Sequence, residues 1–346
     1  MGGLIQRLIQ KARREKEQEE AAVSSQMLEE ADNYINTYVG EDYMSIEDPP
    51  VNAEELVMDG IMLGDIAGSY YEECSNAPDL GGEHTSYLFR RTSRVTDDST
   101  MAWAIRAALK EIRSTPEMTR LDMIKTYARH MRLWAKWYPD AGYGGNFYNW
   151  AILDMAMPDF KSCGDGSAMR SGIIGAICPT LNETITQAIL SAMPTHSHPE
   201  GVKGAILPAA MVWLALHGYS MKALEMYASR FYPNGQRKPL EDSPWLDPAI
   251  SEPELKALGS ETRSVICQMA VPEAVANFLH SDSYESCIRK MLTYDCDADT
   301  VSAIAGGIAA AYYKNTRIDP EGSGYKTGDA MLAEGKAFLG RYPFTP

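Results

Sequence analysis

Apolar residues with helical spacing recur along most of the chain, in segments separated by loops that contain Gly and Pro. The alternation of apolar and polar residues that is typical of half-buried strands is scarce. Alanine and methionine dominate the apolar faces, and both residues favour helices and fill cores. We therefore predict an all-α fold with a compact multi-helix domain. The predicted helices cover residues 54–69, 99–113, 119–137, 167–178, 182–193, 201–217, 220–230, 262–279, 284–292, 300–314 and 328–340.

Residues 1–51 differ from the rest of the chain and are predicted to form a helical arm followed by a linker. A dense mixture of both charges follows the first apolar residues, and Pro49 and Pro50 end the segment. The main domain is predicted to span residues 52–346. Two interpretations of the arm stay open: a helix folded back on the main domain, or an apolar anchor that docks on a partner protein. The anchor residues would be Leu4, Ile5, Leu8 and Ile9.

The charge and the cysteines of the chain restrict its partners and its compartment. Its 346 residues have a formal net charge of −15, and no basic stripe balances the acids, so nucleic acid is excluded as a general partner. No apolar run reaches the roughly 20 residues of a membrane-spanning helix, so we expect no membrane insertion. The six cysteines are scattered, with no Cys-x-x-Cys pair and no secretory leader. This pattern is typical of free thiols in a reducing compartment, and we predict a cytoplasmic protein.

Two clusters of acids stand at the starts of predicted helices, and each cluster includes a threonine. Each cluster alone is an ordinary helix start with acids in the first turn. Carboxylates that lie close together repel one another unless a cation compensates them. Two such helix starts together form an all-oxygen site that suits Mg²⁺ or Mn²⁺, with enough oxygens for two ions. The residues are Thr96, Asp97 and Asp98 in the first cluster, and Asp297, Asp299 and Thr300 in the second.

The spacing of Asp295, Asp297 and Asp299 also matches the first ligand positions of an EF-hand calcium loop. The match ends there, because Thr300 occupies the position that requires Gly and Gly306 occupies the position that requires Glu. We therefore interpret this stretch as the entry of a buried helix, whose small residues allow close packing and whose positive N-terminal end suits carboxylates.

Glycines and a glutamate mark the first helix of the main domain. Gly60, Gly64 and Gly68 are spaced by four, which predicts one helix face that packs closely against another helix. Glu72 follows them and opens a long polar segment that leads to the first acidic cluster. Loops of this length in compact domains are often functional lids.

Two further motifs offer groups for a ligand. The stretch 162–175, SCGDGSAMRSGIIG, is a glycine-containing turn into a helix, and its amides could hold a phosphate. In PTHSHPEG, His196 and His198 could be zinc ligands, a helix cap or a substrate contact. Zinc is the least favoured of these, because no third ligand stands nearby.

The motifs GxxxGDxxGxxxE, TDD, GxGSAMR, THxHPEG and DxDTxxAIAG follow one another in this order over residues 59 to about 313. In this they resemble the ADP-ribosylglycohydrolases of the dinitrogenase-reductase-activating type. The resemblance implies an all-α domain that uses two Mg²⁺ or Mn²⁺ ions to remove ADP-ribose from modified protein side chains, commonly arginine.

The resemblance also implies roles for single residues. Glu72 would be the glutamate of a mobile flap, and His196 would lie beside the ligand. The implied metal ligands are Thr96, Asp97, Asp98, Asp297, Asp299 and Thr300. The implied phosphate and ribose loop contains Ser162, Gly164, Gly166 and Ser167.

Proton transfer is expected from Glu72 and a metal-bound aspartate, with Asp98 and Asp297 as the candidates. Two departures from the family pattern bear on the ligand. Cys163 replaces an aromatic residue of some relatives, and Asp165 stands where the family usually has Asn. A carboxylate beside a pyrophosphate is repulsive unless it reaches a metal or an amide.

A non-catalytic binding protein on the same fold is the alternative class. It is disfavoured, because every metal ligand of the pattern is present and a non-enzymatic protein has no use for mutually repelling acids. Some similar family members are immunity proteins that neutralise ADP-ribosylating toxins. On that hypothesis the arm would also block a toxin active site, with Tyr34, Tyr38 and Tyr43 filling pockets in the toxin.

Overall fold

A computed structural model describes residues 23–72, 87–153, 161–233, 265–292 and 296–341. Within these ranges the regular structure is helical, and the β-type pairings are isolated bridges rather than strands. The prediction of an all-α fold is confirmed. The helices are α1 (described over 23–38), α2 (Ala53–Glu72), α3 (Asp97–Ser114), α4 (Arg120–Trp137), α5 (Gly145–Ala151), α6 (Gly172–Ile177), α7 (Leu181–Ala192), α8 (Pro199–Leu216), α9 (Met221–Ala228), α10 (Cys267–Leu279), α11 (Tyr284–Met291), α12 (Ala298–Tyr313), α13 (Pro320–Ser323) and α14 (Gly328–Leu339).

The predicted helix at 167–178 is wrong in its first half. A 3₁₀ turn covers Asp165–Ser167, and the α-helix α6 spans only Gly172–Ile177. The helix ends at Cys178, which has an extended conformation because Pro179 follows it and disfavours the helical region for the preceding residue. The short helices α5 and α13 were not predicted, since neither is long enough to show a period.

The centre of the fold is an antiparallel pair, α2 and α12. Gly60 of α2 faces Gly306, and Gly64 faces the backbone of Ser302 further back along α12. A Cβ atom at Gly64 would collide with the Ser302 carbonyl oxygen, so the two helix backbones are in direct contact. The predicted close packing of the glycine face is confirmed. This packing brings the C-terminal end of α2 to the N-terminal end of α12.

The described part of the arm is folded back on the main domain. In α1, Ala31 and Ile35 are buried in the core, and the Tyr34 hydroxyl donates to the Ser197 carbonyl at 2.9 Å. Tyr38 stacks on Phe231 with 5.8 Å between ring centroids. The apolar anchor predicted at Leu4, Ile5, Leu8 and Ile9 lies outside the described residues.

Candidate active site

The starts of α3 and α12 meet at the C-terminal half of α2, and this junction brings the two acidic clusters together. Thr96 is the N-cap residue of α3, and Asp297 is the N-cap residue of α12. Carboxylate oxygens of Asp65, Asp98 and Asp299 all lie within 4.8 Å of one another. Oxygens of Glu72, Asp297 and Asp299 form a second group of the same size. Asp299 belongs to both groups and therefore links them.

Asp65 is a member of this site that the sequence analysis missed. Its carboxylate is fully buried and accepts hydrogen bonds from the backbone amides of Thr96 and Ser99, both at 3.1 Å. The hydroxyl groups of the same two residues also contact it, Thr96 Oγ1 at 2.7 Å from Oδ1 and Ser99 Oγ at Oδ2. A signal was present in the sequence, because an acid inside the apolar face of GIMLGDIAG requires partners.

The other predicted ligands surround these groups. Thr96 Oγ1 lies 3.0 Å from Asp98 Oδ2, and the Thr300 amide donates to Asp299 Oδ1 at 2.9 Å. Asp97 belongs to neither carboxylate group, although it lines the cavity that opens beside them. Asp295 lies outside the described residues.

Burial and mutual repulsion favour the protonated form of these acids. Burial and then the charge of Asp299 raise the pKa of Asp65 to about 7, against the hydrogen bonds from Ser99 and Thr96. The residue Glu72 is exposed, yet the partial burial of its carboxyl group and the charge of Asp299 raise its pKa to about 8. Burial also raises the pKa of Asp97, Asp98 and Asp297 well above the ordinary range.

The donor set fits a hard divalent cation. Asp98 Oδ1 is buried without a hydrogen-bond partner among the described residues, so it carries an uncompensated lone pair or charge. The groups that surround it are carboxylates and hydroxyls, which suit Mg²⁺ or Mn²⁺ better than zinc. Neither His196 nor His198 belongs to a potential metal-ligand group in the described part of the chain.

A cavity of about 620 Å³ opens above the acids. Its wall contains the loop residues Ser162, Gly164 and Gly166, together with His196. Ser167 does not line the cavity, because its hydroxyl points behind the wall and donates to the Gly201 carbonyl at 2.7 Å. Tyr143 and Phe147, which the sequence analysis did not select, also line the cavity, with 5.2 Å between their ring centroids.

Hydrogen bonds fix the ring of His196 in the cavity wall. Arg170 donates to Thr195 Oγ1 at 2.8 Å, and Thr195 Oγ1 lies 2.7 Å from His196 Nδ1. Thr195 Oγ1 accepts from Arg170 and keeps a proton that it can donate to Nδ1, and with that donation the ring proton stands on Nε2. Burial, and next the charge of Arg170, lower the pKa of His196 well below its usual range. His196 is therefore neutral, and its Nε2 faces Gly166.

His198 has a different role from His196. It is the N-cap residue of α8, and its Nδ1 accepts from the Glu200 amide at 3.1 Å. Of the three alternatives left open for the two histidines, the helix cap is confirmed for His198.

Comparison with known protein families agrees with the all-α fold and the acidic site. The ADP-ribosylglycohydrolase family matches residues 57–327, which is more than half of the chain. The protein belongs to the ADP-ribosylglycohydrolase family. This membership supports an ADP-ribosyl hydrolase activity, which is the general activity that the resemblance implied.

Curated relatives include two vertebrate enzymes. ADP-ribosylhydrolase ARH3 of Homo sapiens is 27% identical over an alignment of 338 positions, and the alignment covers 79% of this chain and 89% of the relative. ADP-ribosylhydrolase ARH3 of Gallus gallus is 26% identical, with 79% and 88% covered. A solved structure described as an ADP-ribosylglycohydrolase-related protein complex superposes with a TM-score of 0.50 at 19% identity, over 84% of this chain and 99% of that chain. This last similarity supports the fold.

None of the described helices is both long enough and apolar enough to span a membrane.

Proposed function

We propose that the protein hydrolyses the bond between ADP-ribose and a modified protein side chain, with Mg²⁺ or Mn²⁺ as cofactor and ADP-ribosylated arginine as the preferred substrate. The observation that carries the proposal is the pair of carboxylate groups joined by Asp299 beside a cavity of about 620 Å³. A cavity of this size accommodates a nucleotide-sized ligand.

The ions would be held by oxygens at the two helix starts. When bound, they would supply Lewis-acid polarisation of ribose hydroxyls and water. Asp65 differs from the other acids, because both of its oxygens already accept hydrogen bonds from Thr96 or Ser99. We assign Asp65 to positioning the start of α3 rather than to coordination. The proposed ligands for two ions are Thr96, Asp97, Asp98, Asp297, Asp299 and Thr300.

The remaining wall of the cavity suits the organic part of ADP-ribose. The rings of Tyr143 and Phe147 form an aromatic surface that suits an adenine base. His196 lines the cavity, and the tautomer with its proton on Nε2 would donate to a phosphate or ribose oxygen. Ser162, Gly164 and Gly166 are proposed to contact the same ligand. Ser167 is proposed to support this loop from behind through its bond to Gly201.

Hydrolysis requires water to add to the anomeric carbon of the ribose while the bond to the side-chain nitrogen breaks. The proton of the water must be taken by a base, and the leaving nitrogen must receive a proton. Glu72 is the exposed member of the carboxylate group that includes Asp297 and Asp299, so it would stand between solvent and bound ions. We assign the proton transfer to Glu72, with Asp98 or Asp297 as the second group.

The linkage assay tests the proposed reaction. Peptides carrying ADP-ribose on arginine or on serine are incubated with the protein and Mg²⁺ or Mn²⁺, and released ADP-ribose is measured by mass spectrometry. We expect release from arginine, and loss of release in excess chelator. Full activity in chelator would contradict the metal role, and release from serine alone would contradict the preference for arginine. A non-catalytic binding protein would bind ADP-ribose and release none from any peptide.

Immunity against an ADP-ribosylating toxin stays a prediction for the arm. Tyr34, Tyr38 and Tyr43 contact the main domain of their own chain, so filling toxin pockets would require α1 and the linker to detach. The part of the arm to test is therefore residues 1–22. A chain that begins at Val23 keeps every described contact, and it should lose binding to a cognate transferase if these residues anchor it. Unchanged binding would contradict the role.

A further inference from the structure

The loop at 161–167 uses part of its own hydrogen-bonding capacity inside the protein. The Gly164 amide donates to Ser162 Oγ at 3.1 Å, and the Asp165 amide donates to the Val265 carbonyl at 3.1 Å. These two amides are therefore committed and do not point at a ligand. Asp165 also adds a carboxylate, whose buried Oδ2 has no hydrogen-bond partner among the described residues. The loop therefore offers fewer free amides to a phosphate than its glycines suggested.

Most of the ionisable groups that line the cavity are carboxyl groups, which cannot attract the two negative charges of the pyrophosphate of ADP-ribose. Among the described lining residues, the cations are Lys161 and Arg170. Arg170 is buried and donates to Thr195 behind His196. Lys161 is the other lining cation, and unlike Arg170 it is exposed to solvent. The lining carboxylates are Glu72, Asp97, Asp98, Asp165, Asp297 and Asp299.

Lys161 stands in a defined position at the edge of the cavity. The backbone of Lys161 forms an isolated antiparallel bridge with His196. The Lys161 side chain therefore begins beside the His196 imidazole, which faces Gly166. Its side chain is 47% exposed, and its ammonium nitrogen lies 3.4 Å from Glu30 Oε1 of α1. An exposed ion pair of this kind contributes little stability, so the ammonium group can exchange Glu30 for a more highly charged anion.

We propose that Lys161 is a binding residue that contacts the pyrophosphate of ADP-ribose at the edge of the cavity. This inference rests on the proposed function. Its ammonium group leaves Glu30 and makes charge-assisted hydrogen bonds to the phosphate oxygens. Glu30 lies outside residues 57–327, so the ion pair that Lys161 gives up is made with a helix outside the part of the chain that matches the family.

Binding of ADP-ribose, measured by isothermal titration calorimetry with Mg²⁺ present, tests the assignment. Lys161→Gln should weaken binding about tenfold, the loss expected for a hydrogen bond to a charged group. Lys161→Arg keeps the charge and should stay within twofold of the parent. The matched control is Lys110→Gln, since Lys110 is also an exposed lysine, with 52% of its side chain accessible, and pairs with Glu54 at 2.6 Å. Lys110 lies about 18 Å along α3 from Asp98, at 1.5 Å per residue.

The salt dependence of binding separates a direct contact from a structural role. Affinity for ADP-ribose should fall less steeply with added salt in Lys161→Gln than in the parent, because one screened charge pair is missing. A folded Lys161→Gln protein that binds within twofold of the parent, with the same salt dependence, would overturn the assignment. A parent protein that binds no ADP-ribose would instead contradict the proposed function, and the assignment with it.

Discussion

The Thr96 hydroxyl lies 2.7 Å from Asp65 Oδ1, and this contact joins the start of α3 to the middle of α2. The same carboxylate accepts from the amides of Thr96 and Ser99. One buried acid therefore fixes the turn that carries Asp97 and Asp98. The geometry of the candidate metal site depends on a residue that we do not assign as a metal ligand.

Replacing Asp65 with Asn should weaken both the fold and the metal site. The Asn side chain can turn only one oxygen toward the donors, so its N–H group faces an amide or hydroxyl of Thr96 or Ser99. We expect the free energy of unfolding to fall by about 2 kcal/mol, the cost of unmade buried hydrogen bonds. Affinity for Mn²⁺ should fall about tenfold, as for other changes behind metal ligands. Urea denaturation and metal titration measure the two effects.

Asp59→Asn is the matched control, because Asp59 also lies on α2 and pairs with the partly exposed Lys336 at 2.6 Å. It should cost about 1 kcal/mol or less and leave Mn²⁺ affinity unchanged. Equal effects of the two substitutions on Mn²⁺ affinity would contradict the positioning role of Asp65.

The contact between α2 and α12 gives a second prediction. In Gly64→Ala the new Cβ collides with the Ser302 carbonyl oxygen, which is backbone and cannot rotate away. The helices must separate, and overpacking of this kind costs about 1–3 kcal/mol or more. Because the same separation moves Asp299 away from Asp65, metal affinity should fall as well. Gly40→Ala is the control, since nothing lies within 4 Å of the added atom.

Thermal melts measure the stability of the two glycine variants, and metal titration measures their affinity for Mn²⁺. A Gly64→Ala protein with parental stability would show that the helix contact is looser than described.

Much of this architecture could be predicted from local patterns in the sequence. The glycine spacing at Gly60, Gly64 and Gly68 predicts a close helix contact, and the small residues of α12 supply the complementary face. The clusters at Thr96 and Asp297 predict helix starts, because capping preferences act over a few residues. These features depend on local spacing, which is directly visible in the sequence.

The parts that could not be predicted depend on three-dimensional contacts. The direction of the Ser167 side chain is set by Gly201, which is distant in sequence. The partners of Asp65 lie about thirty residues away, and the pair between Glu30 and Lys161 joins the arm to the loop at 161–167. Helical periodicity carries no information on such pairs.

The acids predict a link between pH, metal and stability. The pKa of Asp65 is raised from 3.8 to about 7, and that of Glu72 from 4.5 to about 8. The folded chain without metal therefore binds more protons than the unfolded chain between about pH 4 and about pH 8. Its stability should fall as pH rises through that window.

A divalent cation beside these carboxyl groups stabilises their ionised forms, so the gain in melting temperature on adding Mn²⁺ should grow from pH 5 to pH 8. Melts in chelator and in Mn²⁺ at several pH values measure the difference. A gain that is the same at every pH would contradict this link.

The central claim is that the two carboxylate groups that share Asp299 form the catalytic site. Its most direct test is the initial rate of ADP-ribose release from an ADP-ribosylated arginine peptide in Mn²⁺, for the parent, Asp299→Asn and the exposed control Asp329→Asn. We predict a rate for Asp299→Asn that is lower by about a thousandfold, equivalent to about 4 kcal/mol of transition-state stabilisation, and a parental rate for Asp329→Asn. A folded Asp299→Asn protein that releases ADP-ribose at the parental rate would contradict the account.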